Sequence, residues 1–147
     1  MKRRILVVDD EWGIRELLRF RLSLRGYEVR IAGNEKEFLQ EAWTHKPDLI
    51  LLDIWLEGKT GTEVYNHLLK EGFDRNVPVI FITALGEDLN QRKASSGEKY
   101  ALYRKPFDFE ELTEEIKRLL CLASRWIEES RERLLSDLSF GTDGGGP

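Results

Sequence analysis

"LLDIWLEGKTG", residues 51–61, holds two chemistries that exclude each other. An apolar strand ends there on a single carboxylate, Asp53, and Gly58, Lys59 and Thr60 follow in the order of a nucleotide-binding loop's tail. The phosphate-cradling loop requires G-x-x-x-x-G-K-[ST], and its first glycine falls on Asp53. A carboxylate there repels the phosphate that such a loop wraps. Lys59 also lies after the third apolar run of the chain, not after the first. The stretch therefore reads as a buried strand delivering an acid at its carboxyl end, with Gly58 and Gly61 letting the chain turn sharply into the next helix.

Outward from this strand, short apolar runs recur at intervals of about two dozen residues and alternate with helical periodicity, the pattern of βα units around a parallel sheet. They are "RILVVD" (4–9), "GYEVRIA" (26–32), "DLILLD" (48–53), "VPVIFIT" (77–83) and "YALYRK" (100–105). The first, third and fourth are nearly all apolar, as strands buried on both faces are, and the other two alternate as flanking strands do. Ile14, Leu17 and Leu18 mark a first helix ended by Gly26. Asn34 and Glu37 form a capping-box start to a second, which carries Phe38, Leu39, Ala42 and Trp43 and stops at Pro47. Residues 62–71 read as a third, with Val64, Leu68 and Leu69 inward and Gly72 closing it. The polar segment 87–97 carries the weakest helical signal.

A last helix begins near Asp108 and presents Leu112, Ile116, Leu119 and Leu120. Apolar residues continue beyond it at Ala123, Trp126, Ile127, Leu134, Leu135 and Leu138, but Ser130 and Arg133 interrupt the heptad. The continuation reads equally as a partnered helix, including a homodimer seam, and as a partly exposed tail. "GTDGGGP" (141–147) is flexible by composition. The expected organisation is one domain over 1–122 and a helical extension with a Gly-rich tail over 123–147.

Composition narrows the function. The 147 residues, 41% hydrophobic, suit one compact core. With 23 basic and 27 acidic residues the net charge is -4, so the field that holds a nucleic-acid backbone is missing and no direct nucleic-acid binding is expected. A single cysteine, Cys121, excludes an internal disulfide framework, fits a reducing cytoplasm, and is expected as a small packed side chain. Asp9 cuts the first apolar run too early for a secretory signal, and no stretch is apolar enough to span a bilayer, so a cytoplasmic protein away from membranes is expected. His45 and His67 lie in polar stretches without metal-ligand spacing.

In a doubly wound sheet, functional groups collect outside the carboxyl ends of the strands. The first run ends on Asp9 and Asp10, with Glu11 next; the third ends on Asp53, the fourth on Thr83 and the fifth on Lys105. Each has an ordinary explanation alone: Asp-Asp-Glu caps a helix, Asp53 is a turn residue, Thr83 a β-branched strand residue, Lys105 a solvated one. Unrelated structural causes do not require all of them at one edge of the sheet. Like charges about 4 Å apart repel by about 4 kcal/mol at an effective dielectric of about 20. A hard divalent cation on oxygen ligands resolves that conflict, and Mg²⁺, with Mn²⁺ as a substitute, suits a site that keeps positions open for water and phosphate. Such a pocket attracts a phosphoryl group, with Asp53 as the nucleophile that forms an aspartyl phosphate.

"ILVVDDE", "PDLILLDIWL" with the later "TG", "VPVIFITA" and "KPF" stand in an order and spacing that strongly resemble the receiver domain of bacterial response regulators, from about Arg4 to Leu120. The resemblance implies a flavodoxin-like (βα)5 fold, a doubly wound parallel five-stranded sheet of order 2-1-3-4-5, here with an extended C-terminal helix. It implies phosphorylation of Asp53 by the phosphohistidine of a sensor histidine kinase or phosphotransfer protein. Asp10 then becomes a direct Mg²⁺ ligand, Asp9 a second acid acting directly or through water, and the Trp55 carbonyl a further ligand. Thr83, followed by Ala84 in the switching loop, hydrogen-bonds the phosphoryl group, and Lys105 pairs with it. The Lys105–Pro106 bond is a candidate for the cis form. Three positions depart from the family pattern. Glu57 stands where a loop proline is usual and is expected to leave the loop more flexible and more acidic. Leu102 occupies the place of the aromatic that partners the switch threonine, while Tyr103 faces the other way by strand alternation. Trp55 sits two residues after Asp53, where it is expected to restrict attacking water.

The expected activity is that of a phosphorylation-controlled signalling switch, not of a turnover enzyme, with slow hydrolysis as its reset. Phosphate draws Thr83 and residues 84–88 inward and shifts the face of the fourth helix, fifth strand and last helix, which contacts the output. One competing reading is an aspartate-nucleophile phosphatase, which carries a second Asp where Trp55 stands. The other is a phosphorylation-independent interaction module, against which the joint presence of Asp53, Thr83 and Lys105 speaks. The 25 residues at 123–147 are too few for a winged-helix or catalytic domain. Either a single-domain regulator acts on an unknown downstream protein, or the receiver has been separated from an output domain.

Overall fold

The computed structural model describes residues 2–84 and 100–140, the side chains of Tyr100 and Phe140 excepted. The helix expected over 87–97 and residues 85–88 of the switching loop lie outside the described residues. Along the chain come β1 (Arg4–Val8), α1 (Trp12–Leu24), β2 (Glu28–Ala32), α2 (Glu35–His45), β3 (Leu49–Asp53), β4 (Trp55–Leu56), β5 (Lys59–Thr60), α3 (Gly61–Lys70), β6 (Val79–Thr83), β7 (Tyr100–Arg104) and α4 (Phe109–Phe140). The five long strands form one sheet of order β2-β1-β3-β6-β7, every pairing parallel, which is the expected 2-1-3-4-5 order. β3 is buried at all five positions, while β2 at the edge alternates in exposure, as their sequences require.

Period-2 alternation divides the core between the two faces of the sheet. On one face Ile5, Val7, Leu51 and Ile82 meet Leu18 and Leu22 of α1 and Leu112, Ile116 and Leu119 of α4. On the other, Leu6, Val8, Ile50 and Leu52 meet Phe38 and Ala42 of α2 and Val64 and Leu68 of α3. Each fully buried Leu or Ile contributes about 1.5–3 kcal/mol. The inward positions of α1 are Ile14, Leu18 and Leu22, four residues apart, which leaves Leu17 half exposed. Leu69 is only partly buried. Trp43 is 44% exposed, standing edge-on to Phe73 with centroids 5.5 Å apart and donating its indole N–H to Glu71 at 3.0 Å. Cys121 is exposed, not packed, because Leu120 and Ala123 take the sheet side of α4.

The helix starts follow local chemistry. The Asn34 side chain accepts the Glu37 N–H at 2.9 Å, and the Glu37 carboxylate reaches back to the Gly33 N–H at 2.9 Å. Asp108 caps α4 by accepting the N–H groups of Glu110 and Glu111 at 2.8 and 3.1 Å. α4 runs for 32 residues, about 48 Å at 1.5 Å per residue, against strands of five residues. It outlasts the sheet, and Ile127, Leu134, Leu135 and Leu138 are 57–70% exposed.

Candidate functional site

The carboxyl edge of the sheet is set by the strand register. β1 and β3 pair Val8 with Leu52, so Asp9 and Asp53 emerge side by side. β3 and β6 pair Asp53 with Ile82, which brings Thr83 to the same edge, and β6 and β7 pair Thr83 with Arg104, which puts Lys105 next. The Lys105 N–H closes the ladder on the Thr83 carbonyl at 2.7 Å. Asp9, Asp53 and Thr83 are buried at 2%, 5% and 2% exposure, while Asp10 is exposed. The Lys105–Pro106 peptide is cis.

Four carboxylates, those of Asp9, Asp10, Glu11 and Asp53, meet one ammonium at this edge. The Lys105 ammonium donates to Asp9 Oδ2 at 2.7 Å and to Asp53 Oδ2 at 3.3 Å, and Glu11 Oε1 stands 3.6 Å away. Oxygens of Asp9, Asp10 and Asp53 lie within 4.8 Å of one another. Burial pushes the Asp53 carboxyl up to about 6; the Trp55 N–H works against this, the charge of Asp9 adds to it, and Lys105 opposes it. For Lys105, burial disfavours the charge, but the hydrogen bond to Asp9 and the charges of Asp9, Asp53 and Glu11 outweigh it and leave the ammonium raised. One ammonium shared between two buried acids, with a third acid at their side, leaves excess negative charge on an all-oxygen donor set. That set fits a hard cation such as Mg²⁺.

After Asp53 the chain folds into a hairpin that was not legible in the sequence. β4 and β5 pair antiparallel, Trp55 with Thr60 and Leu56 with Lys59. Glu57 and Gly58 form the two-residue turn with φ of 49° and 81°, both positive as a type I′ turn needs. Glu57, where a loop proline is usual, takes a turn position that a proline, held near φ −65°, has no access to. The hairpin addresses the site with two N–H groups: Trp55 donates to Asp53 Oδ1 at 3.1 Å and Glu57 to Asp10 Oδ2 at 3.4 Å. Leu56 is buried, and Trp55 is 43% exposed.

The "GKTG" residues take structural work. Lys59 binds the Glu35 carboxylate at 2.6 Å, and Thr60 caps α3 by accepting the Glu63 N–H at 3.2 Å. Gly61 needs its missing side chain for space, not for a special φ, because a Cβ there meets the Asp53 carbonyl oxygen at 2.4 Å. Its N–H bonds the Ile54 carbonyl at 2.6 Å. Gly58, by contrast, holds a positive φ as expected.

Residues 5–117 match the family model of the response regulator receiver domain. The chain belongs to the response regulator receiver family. This receiver is 36% identical to sporulation initiation phosphotransferase F of Bacillus subtilis over 84% of its own length and 98% of that protein. It is 37% identical to the phosphate regulon transcriptional regulatory protein PhoB of Escherichia coli, over 82% of this chain but 52% of PhoB, so it spans about half of that regulator. Among solved structures, the response regulator TrrA of Thermotoga maritima, in complex with Mg²⁺ and BeF, superposes with a TM-score of 0.64 at 37% identity, covering 80% of this chain and 98% of that one. Family membership makes this a two-component signalling module and not a classical enzyme. Among the described residues no helix is long and apolar enough to cross a membrane.

The structure brings Asp9, Asp10, Asp53, Thr83 and Lys105 to one edge, as expected. Tyr103 joins the core on the α4 side of the sheet, and burial, with the charges of Glu115 and Glu111, pushes its phenol up to about 12. By alternation Leu102 shares the sheet face of Thr83 and Tyr103 does not. Arg15 was not anticipated. Its guanidinium donates to the Asp9 carbonyl at 2.7 Å through space that a Cβ on Gly33 would fill, at 2.6 Å from Nη1. No residue pattern around Arg15 signals that contact.

Proposed function

We propose that this receiver accepts a phosphoryl group on Asp53 from the phosphohistidine of a histidine kinase or phosphotransfer protein, and thereby switches protein contacts. The carrying observation is the Lys105 ammonium bridging Asp9 at 2.7 Å and Asp53 at 3.3 Å. A carboxylate held in a desolvated pocket beside a fixed cation is a nucleophile whose acquired phosphoryl charge has a partner ready. One Asp53 oxygen bonds to phosphorus as the bond from phosphorus to the donor breaks, and its electron pair leaves with the donor. Release of Asp53 Oδ2 to that role leaves Lys105 hydrogen-bonded to Asp9 and facing the new phosphoryl oxygens. Receiver domains bind Mg²⁺ at an acidic pocket. In this chain Asp9, Asp10, Asp53 and the Trp55 carbonyl would hold it, and its chemistry is neutralisation of charge on the transferring oxygens. Thr83 receives a phosphoryl oxygen, and Ala84, directly after it, carries the change toward the face of β7 and α4. Pro106 sets the turn after Lys105. Residues 1–122 form the switching unit, and 123–147 the helical extension and Gly-rich tail, whose helix is the place for a second copy of the chain to pair.

The test is incubation with acetyl phosphate and Mg²⁺ followed by intact-mass measurement. The wild-type chain is expected to gain one phosphoryl group, and neither Asp53→Asn nor wild type with a chelator should do so. An unmodified wild type, or a phosphorylated Asp53→Asn, overturns the reading.

A further inference from the structure

The hairpin next to Asp53 has only two residue pairs, too few for independent stability. Its base is secured by the close approach of Gly61 to the Asp53 carbonyl and by the Gly61 N–H to the Ile54 carbonyl. Leu56 anchors one face in the core. On the strand that returns from the turn, Thr60 meets α3 locally, and Lys59 is bound by a side chain from a different helix. Glu35, in the first turn of α2, accepts Lys59 Nζ at 2.6 Å on one carboxylate oxygen and meets His67 Nδ1 of α3 at 2.8 Å with the other. Those bonds to Lys59 and then His67 hold the Glu35 carboxyl below the usual range, and the positive end of α2 favours its charge. Three segments that share no strand pairing are thereby tied around one carboxylate, 18% exposed.

Lys59 pairs across the hairpin with Leu56, so these two share a face, and Trp55 lies on the opposite one. The Lys59–Glu35 pair thus restrains, from the Lys59 side, the hairpin whose Trp55 N–H donates to Asp53 Oδ1. We infer that Glu35 is a positioning residue, acting through Lys59 on the hairpin to keep Trp55 beside Asp53 and so slow the attack of water on a phosphorylated Asp53. In that attack the water oxygen bonds to phosphorus as the bond to Asp53 Oδ breaks, the electron pair stays on the carboxylate, and the water's protons pass to the released phosphate or to solvent. The inference rests on Asp53 as the phosphoacceptor.

The full chain is phosphorylated with acetyl phosphate and Mg²⁺, freed of donor, and its return to the unmodified mass is timed. Glu35→Gln and Lys59→Met are expected to lose the phosphoryl group about threefold faster, the scale open to a partly exposed ion pair. Lys59→Arg, which keeps the cation, should hold the wild-type rate. In a Trp55→Ala background, Lys59→Met should add nothing further, a dependence that a merely structural role does not produce. Wild-type rates in Glu35→Gln and Lys59→Met, or the same acceleration by Lys59→Met with and without Trp55, overturn the clamp while leaving the phosphoacceptor intact. A wild type that takes up no phosphoryl group overturns both.

Discussion

At the scale of single residues, the strand ends hold the oxygens of Asp9, Asp10 and Asp53 within 4.8 Å of one another, a crowding of like charge that calls for a cation. Lys105 supplies part of the balancing charge, and its place is set by the ladder that bonds its N–H to Thr83. Gly61 shows how tightly the backbone behind Asp53 is packed. Gly61→Ala puts a methyl group into the Asp53 carbonyl and should destabilise the fold by about 1–3 kcal/mol, measured by chemical denaturation. Gly58→Ala instead meets open space and bears only the cost of its φ of 81°. Trp55 is 43% exposed and its backbone N–H bonds Asp53; under the proposed function its side chain is the one that limits water. Trp55→Ala should shorten the lifetime of the phosphorylated form by roughly two- to tenfold, on the scale where each 1.4 kcal/mol of barrier is tenfold. An unchanged lifetime would remove Trp55 from that role.

At the scale of elements, α2 carries a cost at its far end. His45, in its last turn, is 6% exposed, and no partner for its Nε2 is found among the described residues. Burial holds the imidazole below its ordinary 6.5, with the charge of Glu28 opposing and that of Arg30 assisting. Because the folded chain resists protonation there and the unfolded chain does not, the stability is fully present above pH 6.5 and is lost as pH falls below it. His45→Gln should flatten this part of the acid limb in thermal melts taken from neutral to mildly acidic pH; an identical slope would exclude His45 as a source. The elements also show where sequence patterns stop. Strands β1, β3 and β6 were legible because burial on both faces leaves an unbroken apolar run, and α2 because Asn34 and Glu37 advertise its cap. The β4–β5 hairpin was not, since its turn places a glutamate at φ 49°, a conformation that no local residue pattern around Glu57 announces. Of the adjacent leucines that mark α1, Leu17 and Leu18, packing buries Leu18 alone, which the helical period did not distinguish.

At the scale of the whole molecule, the receiver takes up most of the chain, and the far end of α4 runs past it with its leucines exposed. A chain ending at Ile127 should keep its folding stability to within about 0.5 kcal/mol, because residues 128–139 are exposed throughout; a larger loss in denaturation would mean that those leucines are covered in solution. Mg²⁺ should raise the melting temperature, with about 2.7 kcal/mol of stabilisation at a hundred times its dissociation constant, and Asp10→Asn should abolish most of that gain. By itself the sequence determined the alternation of strands and helices, the order of acids, hydroxyl and lysine along the chain, and the family, because burial periodicity and strand-end chemistry are local properties. The tertiary structure decided which oxygens Lys105 bridges, that the loop after Asp53 closes as a hairpin, and that Glu35 reaches across to Lys59. Those are contacts between segments distant in the chain, and their distances depend on how the sheet register and the helix packing sum over the entire fold.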